Sequence, residues 1–308
     1  MSSSSTIGAA ALLAIAFTPP TPAALVIGGF DATRGGGASI ADGDLLDTFR
    51  DSITTAFPGT TFSGTGTLTA EYLETIDLLV LFSAKGGVSA ITPLSLDEQS
   101  AVMDFVSQGG PAILFVDNDS FGGAGSDAAN ESVVDFVGLD ATGTGSGWSQ
   151  PATIADPEAS ALASGPFGTV ANWTVGWSGW FDFVPRDGIV IGTIDQSGLP
   201  GLVVFPPDAI GPGSAAVVAY ADSTGFVDGY LAVGSNNETL LLNSIAYLAP
   251  ATRCIADLDD NGIVDGADLG LLLAAWNTAG PLEDLDGNGT VDGADLGVLL
   301  GAWGPCGA

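Results

Sequence analysis

The feature that most constrains this sequence is a 20-residue segment that occurs twice near its end. The two copies span Asp257–Trp276 and Asp284–Trp303, start 27 residues apart and agree at 16 of 20 positions. Each copy opens with alternating Asp and Asn residues around a glycine and continues into an apolar stretch. Repetition at this spacing predicts two equivalent loop–helix units that pack on each other.

Oxygen-bearing side chains occupy positions 1, 3, 5, 9 and 12 of each repeat, and glycine occupies position 6. This is the ligand pattern of an EF-hand-type calcium loop, in which the position-7 carbonyl completes the set. Oxygen ligands suit a hard cation, so the pattern predicts two Ca²⁺ ions; the alternative is an Asp/Gly-rich turn array without metal. The predicted ligands are Asp257, Asp259, Asn261, Ile263 (carbonyl), Asp265 and Asp268 in the first loop, and Asp284, Asp286, Asn288, Thr290 (carbonyl), Asp292 and Asp295 in the second.

The residues after each loop have the periodicity of an amphipathic helix. Leucines and a tryptophan recur at i, i+3, i+4 and i+7, which predicts one apolar stripe per helix and burial of the two stripes against each other. The stripe residues are Leu269, Leu272, Leu273 and Trp276, and Leu296, Leu299, Leu300 and Trp303. At loop position 8, Val264 and Val291 are predicted to make a short strand-like contact with each other.

Two loop–helix units, Asp rather than Glu at position 12, and no full helix before either loop make residues 254–306 resemble a type I dockerin. The resemblance implies a small, all-α, calcium-dependent domain, residues 254–308, that docks an extracellular protein onto a cohesin-like or cell-surface partner. Dockerins mostly belong to polysaccharide-degrading enzymes and their accessory proteins. Positions 10 and 11, which usually carry partner-reading hydroxyl residues, are here Gly266–Ala267 and Gly293–Ala294. Calcium binding therefore carries over but cohesin binding does not.

The two cysteines, Cys254 and Cys306, bracket the repeats. In an oxidising compartment they are predicted to form a disulfide, the alternative being two free thiols. Export is predicted from the apolar run Ile7–Phe17, which is too short to span a membrane, and from the small-residue cleavage site near Ala23 or Ala24. Residues 1–23 are thus a predicted signal peptide, although the first six lack a positive charge, and the protein is expected to be secreted or on a bacterial cell surface.

The chain has 36 acidic residues, 5 basic residues and no histidine, for a formal net charge of −31. Nucleic acid and anionic membrane surfaces are therefore poor partners, and no segment after the N-terminal run is long and apolar enough to span a bilayer. The absence of histidine also excludes Ser-His-Asp catalysis and histidine metal sites.

Residues 24–249 have alternating strand and helix patterns, and residues 250–253 are a predicted linker. This alternation predicts an α/β fold, a parallel-sheet flavodoxin/Rossmann-like sandwich. Strands are predicted at Ala24–Gly29, Thr60–Gly64, Ile76–Ser83, Pro111–Val116, Gly188–Ile194, Gly201–Phe205 and Ala215–Ala221, and helices at Asp44–Phe57, Ser95–Gln108 and Glu238–Leu248. The second of these helices opens with the capping box Ser95–Glu98.

Three segments, the opening Leu25–Gly29, the unit around Leu94–Glu98 and Gly109–Gly110, and the closing Asn236–Leu248, resemble the class I glutamine-amidotransferase-like superfamily. The resemblance is to its non-glutaminase, trehalose-utilisation-type branch. Glutaminase chemistry needs a cysteine nucleophile and a histidine base. Because the chain has no histidine and both cysteines lie in the tail, glutamine amidotransferase activity is excluded.

Two clusters in this region are candidate sites. Asp117 and Asp119 follow a predicted parallel strand, where α/β folds bind ligands, and could act as acid and base on a glycoside. The alternative is that Asp, Asn, Ser and Gly simply form a loop there. Trp173, Trp177 and Trp180 form a candidate sugar platform, the alternative being that these aromatic residues fill the core.

The sequence therefore predicts an exported calcium-binding protein, a non-catalytic binding or surface-assembly component in extracellular polysaccharide handling. Two alternatives remain open. One is a carbohydrate-active hydrolase attached through its tail, and the other is a structural calcium clasp without a partner.

Overall fold

The structure, a computed structural model, describes residues 25–86, 89–120, 125–185, 187–249, 256–259, 263–278, 280, 283–286 and 288–305. These residues fall into two compact units, a larger one of residues 25–249 and a tail of residues 256–305. The predicted signal peptide and linker, the predicted disulfide partners Cys254 and Cys306, and the predicted ligand Asn261 lie outside the described residues.

The larger unit is built on a nine-stranded sheet. In chain order its strands are β1 (Val26–Phe30), β2 (Thr61–Thr65), β3 (Leu78–Phe82), β4 (Ala112–Phe115), β5 (Gln150–Thr153), β6 (Asn172–Val175), β7 (Ile189–Ile194), β8 (Leu199–Phe205) and β9 (Val217–Tyr220). Across the sheet the order is β6-β5-β7-β8-β9-β4-β3-β1-β2. Strands β2, β1, β3, β4 and β9 are parallel neighbours, and the remaining pairings are antiparallel.

Helices cover both faces of this sheet. The main helices are α1 (Asp47–Ala56), α2 (Leu96–Ser107), α3 (Ser126–Val134) and α4 (Asn236–Leu248). Strand β3 contributes Leu78, Val80 and Phe82 to the core that contains α1 and α4, and Leu79 and Leu81 to the core that contains α2 and α3. Because both faces are covered, this strand is a continuous apolar run, as expected for a buried parallel strand.

Shorter elements complete the larger unit. Single-turn helices lie at Ala32–Gly35 and Ala70–Leu73, and 3₁₀ turns at Gly36–Ala38, Asp135–Val137, Pro157–Ala159 and Thr224–Phe226. Small antiparallel pairs join Ala84–Gly86 to Ser89–Ala90, Asp140–Thr142 to Trp180–Phe183, and Ser164–Gly165 to Gly168–Thr169.

The predicted α/β class is confirmed, but the prediction of a parallel sheet is correct only for one side. Strands β7 and β8 are joined by residues 195–198 alone and form a hairpin. A connection this short makes its strands antiparallel, since a parallel crossover needs about a dozen residues or more. The sheet is therefore mixed.

The capping box predicted for α2 is confirmed, and it is joined to a buried ion pair. The main-chain N–H of Ser95 donates to the Glu98 carboxylate at 2.9 Å, and the Glu98 N–H donates to the Ser95 hydroxyl at 3.3 Å. Glu98 also accepts a hydrogen bond from Arg34, whose guanidinium donates to the carbonyls of Thr92 and Pro93. This network fixes the chain between β3 and α2 against the single-turn helix that contains Arg34.

The tail contains helices α5 (Gly266–Ala274) and α6 (Gly293–Gly301), and an antiparallel pair of two-residue strands, Ile263–Val264 and Gly304–Pro305. Its buried core consists of Ala256, Val264, Leu272, Val291 and Leu299. The predicted apolar stripes are only partly buried, because Leu273, Leu300, Trp276 and Trp303 are exposed. Of these five core residues, each nine-residue helix contributes one.

The predicted strand-like pairing of Val264 with Val291 is wrong. Val264 pairs with Gly304, whereas the N–H of Val291 donates to the carbonyl of Thr278 at 2.8 Å. Each loop therefore pairs with the chain that follows the helix of the other repeat, and the two valines meet as side chains in the core. Among the described residues, no helix has the length and apolar character that a membrane crossing requires.

Candidate functional site

In each tail loop, three carboxylates converge. Asp257, Asp259 and Asp268 can each place an oxygen within 4.8 Å of the other two, and Asp284, Asp286 and Asp295 do the same in the second loop. These residues are at positions 1, 3 and 12 of the two repeats. The structure thus brings together half of each predicted ligand set.

The second loop shows how the backbone wraps around its carboxylates. The Asp284 carboxylate accepts the N–H groups of Asn288, at 3.1 Å, and Gly289, at 2.7 Å. The Asp286 carboxylate accepts the same Asn288 N–H at 3.0 Å, and the Asn288 side-chain oxygen accepts the Thr290 N–H at 3.0 Å. Such side-chain-to-backbone turns are characteristic of Asp and Asn. Gly289 has a φ of +90°, which a residue with a Cβ rarely adopts.

The position-12 carboxylates are buried and hold the two ends of each loop together. Asp268 accepts N–H groups from Leu258 at 2.7 Å, Asp259 at 3.2 Å and Asp265 at 2.7 Å. Burial raises the pKa of Asp268, but these backbone hydrogen bonds outweigh it and hold the pKa below its usual value. Each loop therefore keeps an ionised carboxylate at its centre.

In the second loop, Asp295 makes the same three contacts, with Leu285, Asp286 and Asp292. Its pKa is lowered chiefly by the N–H of Asp292.

The position-9 residues, Asp265 and Asp292, have a different role. Each caps the helix that follows it, the Asp265 carboxylate accepting the Ala267 N–H and the Asp292 carboxylate the Ala294 N–H, both at 2.7 Å. In EF-hand-type loops, position 9 often reaches the ion through a water molecule. Helix capping at this position is therefore compatible with a calcium site.

The donor set suits a hard cation. The converging groups are carboxylates, and a carboxylate has about four acceptor sites, so the backbone contacts of Asp268 and Asp295 leave capacity for an ion. Within the described part of the tail, the two clusters consist of aspartates alone, a set of oxygen ligands that fits calcium and disfavours zinc or copper.

The larger unit has a second candidate site, at the carboxyl ends of its central parallel strands. Asp117 follows β4 and Asp222 follows its neighbour β9, and the two side chains are 2% and 1% exposed. The Ser223 hydroxyl donates to Asp117 at 2.5 Å, and Asp222 accepts N–H groups from Gly176, Thr224 and Gly225 at 3.0–3.3 Å.

Burial raises the pKa of Asp117 to about 6. Burial, and then the charge of Asp117, raises the pKa of Asp222 well above its usual value. Two carboxylates placed this way do not readily ionise together, so the pair retains a proton well above the usual pH for aspartate.

Asp117 and Asp119, the predicted acid/base pair, make hydrogen bonds to different groups. The Asp119 carboxylate accepts the Gly143 N–H at 2.8 Å and the Thr142 hydroxyl at 3.1 Å, whereas Asp117 faces Asn118 and Ser223. The loop interpretation of this segment matches the structure. Sequence reasoning missed Asp222, although its position directly after the predicted strand Ala215–Ala221 was the available signal.

The predicted tryptophan platform does not form as a set. Trp173 is 2% exposed and belongs to the core, and Trp180 is half-buried against the same core. Trp177 is 41% exposed and meets the Trp148 ring edge-on, with 6.0 Å between ring centroids. Trp148 also stacks on Tyr230, at 5.2 Å and an interplanar angle of 13°. Neither partner was identified from the sequence, because the three aromatic residues are far apart in the chain.

Two adjoining cavities lie at this aromatic cluster, which comprises Trp148, Trp177 and Tyr230. One, of about 210 Å³, has Phe82, Trp148 and Ser223 in its wall. The other, of about 250 Å³, has Ser149, Thr174 and Asn237 in its wall. Thr224 and Tyr230 line both cavities. A larger cavity of about 360 Å³ lies beside α2, with Leu73, Phe105 and Pro111 in its wall.

Fold and site together define an α/β protein with a mixed, flavodoxin-like sheet and an acidic loop–helix tail. No family model matches the sequence, and no curated protein matches it. Among solved structures, the mmIFT52 N-terminal domain is similar with a TM-score of 0.52 at 10% identity, over 73% of this chain and 97% of that chain. That similarity concerns the fold alone.

Two further structures are similar at lower TM-scores. A ThuA-like protein from Bacteroides uniformis ATCC 8492 has a TM-score of 0.45 at 14% identity, over 76% of this chain and 94% of its own. A GMP synthase protein from Thermoplasma acidophilum has a TM-score of 0.46 at 12% identity, over 73% and 94%. Membership of the amidotransferase-like superfamily therefore stays a prediction from the sequence.

Proposed function

We propose that this protein is an exported calcium-binding protein whose tail holds two Ca²⁺ ions and whose larger unit is a non-catalytic binding domain in extracellular polysaccharide handling. The observation that carries the proposal is the convergence of Asp257, Asp259 and Asp268, and of Asp284, Asp286 and Asp295, at matching positions of two repeats. The residues that would hold the ions are these six aspartates, with position-7 carbonyls and position-9 carboxylates available to complete each set.

Calcium would supply the tail with stability that its core cannot provide. The carboxylates of each cluster repel one another, and a divalent cation offsets that repulsion. Among the described residues of the tail, five apolar side chains are fully buried, and a core this small rarely supplies more than about 3–5 kcal/mol. At a free calcium concentration 100 times the dissociation constant, each ion stabilises the folded tail by about 2.7 kcal/mol.

The exposed apolar residues of the tail favour a protein partner. Leu273 and Leu300 are 51% and 53% exposed, and Trp276 and Trp303 are 36% and 50% exposed. The residues in each pair are 27 positions apart, so the two repeats present equivalent side chains. Large exposed apolar side chains on so small a unit are typical of an interaction surface. A cohesin-like or cell-surface protein is the proposed partner; a clasp without a partner is the alternative.

The hydrolase alternative has weaker support. Neither Asp117 nor Asp119 lines the two cavities at the aromatic cluster. A binding role for the larger unit therefore fits its geometry better. Release of reducing ends from a polysaccharide by the calcium-loaded protein would reverse that assignment.

Calcium binding is tested by native mass spectrometry and isothermal titration calorimetry of the full chain. The parent protein is expected to bind two ions. Asp259→Asn and Asp286→Asn, which change exposed position-3 residues of the two loops, should each remove or strongly weaken one site. Asp51→Asn, an exposed residue of α1, is the matched control and should leave two. No binding at millimolar calcium, or two unaltered sites in both loop variants, would refute the proposal.

A further inference from the structure

We propose that the two adjoining cavities at Trp148 and Tyr230 form a binding site for a neutral carbohydrate chain, with the aromatic cluster as its stacking surface. The inference rests on the proposed role in polysaccharide handling, but not on the calcium loops. It places sugar recognition at residues other than the Trp173 and Trp180 of the sequence prediction.

The rings of the aromatic cluster are unusually exposed. Trp148, Tyr230 and Trp177 are 55%, 44% and 41% exposed, although they contact one another. A cluster of large exposed aromatic side chains is unusual on a soluble domain and marks an interaction site. Its rings are amphipathic, so they can pack against the C–H face of a sugar while polar groups nearby meet the hydroxyl groups.

The backbone next to these rings is strained. Trp177 and Ser149 have φ values of 54° and 55°, in the left-handed region that bulky side chains rarely occupy. The surrounding structure maintains the strain at Trp177, since its N–H donates to the Gly147 carbonyl at 3.0 Å and its carbonyl accepts the Asn118 side-chain amide. Strained residues that are held in this way cluster at ligand sites.

The walls of the two cavities are polar but carry little charge. Among the described residues that line the two cavities, none is a lysine or arginine, and the polar groups are mostly hydroxyls and amides, including Ser149, Thr174, Ser223 and Thr224. The one carboxylate among these lining residues is Asp228, whose side chain also accepts the Thr48 N–H at 2.8 Å. Such walls have nothing to neutralise a phosphate or sulfate, and the formal charge of −31 repels anions. A neutral, hydroxyl-rich ligand fits them.

The two cavities are small, and they share part of their walls. At about 210 and 250 Å³, each cavity is smaller than the roughly 300 Å³ at which pockets for drug-sized ligands begin. Two small cavities that share Thr224 and Tyr230 suit consecutive small rings better than one large ligand. The cavity of about 210 Å³ lies where Phe82 ends β3 and Ser223 follows β9, at the end of the parallel strands where α/β folds bind ligands.

The test is a titration of the full chain with neutral hexasaccharides of β-1,4-linked glucose, mannose and xylose and of α-1,4-linked glucose. Binding is measured by calorimetry and by tryptophan fluorescence. At least one of these sugars is expected to bind, and Trp148→Ala and Tyr230→Ala should each weaken that binding about tenfold or more. Phe183→Ala, which removes a similarly exposed aromatic ring of the larger unit that lines neither cavity, is the control and should have no effect.

The outcomes separate this site from the calcium proposal and from the wider role. Sugar binding that persists when a chelator removes calcium supports a site confined to the larger unit. Binding that is equal in the parent, Trp148→Ala and Tyr230→Ala proteins overturns this site but keeps the role in polysaccharide handling. Binding of none of the four hexasaccharides overturns both, while the calcium stoichiometry is measured separately.

Discussion

The hydroxyl of Ser223 donates a 2.5 Å hydrogen bond to the carboxylate of Asp117, a residue 106 positions earlier in the chain. This contact joins the ends of the neighbouring strands β4 and β9. Asn118, the residue after Asp117, donates its side-chain amide to the carbonyl of Trp177. The same region therefore also holds the main chain of one residue of the exposed aromatic cluster. Asp117 of the buried acidic pair is therefore linked through Asn118 to the main chain of Trp177.

The acidic pair predicts a pH-dependent stability. Burial raises the pKa of Asp117 to about 6 and that of Asp222 well above its usual value. In the unfolded chain, an aspartate has a pKa of about 3.9. Between these values the folded protein binds more protons, so the free energy of unfolding falls as pH rises from about 4 through 6 and beyond. For Asp117 alone the loss is on the order of 3 kcal/mol.

The measurement is urea unfolding at a series of pH values in the presence of calcium. In Asp222→Asn the side chain at this position is neutral at every pH. The free energy of unfolding of this variant should therefore fall less steeply with pH than that of the parent protein. Asp51→Asn, on the exposed side of α1, should follow the parent curve. Parallel curves for the parent and Asp222→Asn proteins would show that the buried pair has ordinary titration behaviour.

Two ion pairs among the described residues of the larger unit are predicted to differ in strength. Arg34 and Glu98 have side chains only 10% and 6% exposed, whereas Asp47 in the Arg50 pair is 67% exposed. Burial alone would raise the pKa of Glu98, but the bonds from Arg34, Ser95 and Leu68 lower it, so the pair is charged.

Glu98→Gln leaves the Arg34 charge buried without its partner and should reduce stability by about 3–5 kcal/mol. Asp47→Asn should lower it by less than about 1 kcal/mol, because water screens the exposed pair. Both values come from denaturant unfolding at neutral pH. Equal effects of the two variants would contradict the structural role assigned to Glu98.

Trp173 and Trp177 are predicted to respond oppositely to truncation. Trp173 fills the core beside Gly192, where an added Cβ would lie 2.6 Å from its ring. Trp173→Ala should therefore destabilise the protein by about 3–5 kcal/mol. Trp177→Ala, at a surface position, should change stability by less than about 1 kcal/mol. A thermal or urea unfolding series distinguishes them, and similar losses in both variants would place Trp177 in the core as well.

The sequence was sufficient for elements whose signals are local. Apolar content predicted the strand at Ile76–Ser83, and the capping box predicted the start of α2. The direction of β5, β6 and β7 was not predictable in the same way, because it depends on which distant strand each one pairs with. Short loop length at residues 195–198 was the one local cue to the antiparallel side.

The candidate sites also differ in whether their residues are close together in the sequence. Positions 1, 3 and 12 of the tail loops lie within twelve residues of one another, so their spacing alone predicted the convergence that the structure shows. Asp117 with Asp222, and Trp148 with Tyr230, are brought together only by the folded sheet. Asp117 and Asp119 bond to different groups, because proximity in sequence does not decide which way a loop carboxylate faces.

Whether folding of the tail depends on calcium is tested most directly by hydrogen–deuterium exchange of the full chain with calcium and with a chelator. Helices α5 and α6 are expected to be protected from exchange only when calcium is present, because the ions supply the stability that the small tail core lacks. Helix α4 of the larger unit should be equally protected in both conditions. Equal protection of α5 and α6 with and without calcium would contradict the claim that the tail is a calcium-dependent unit.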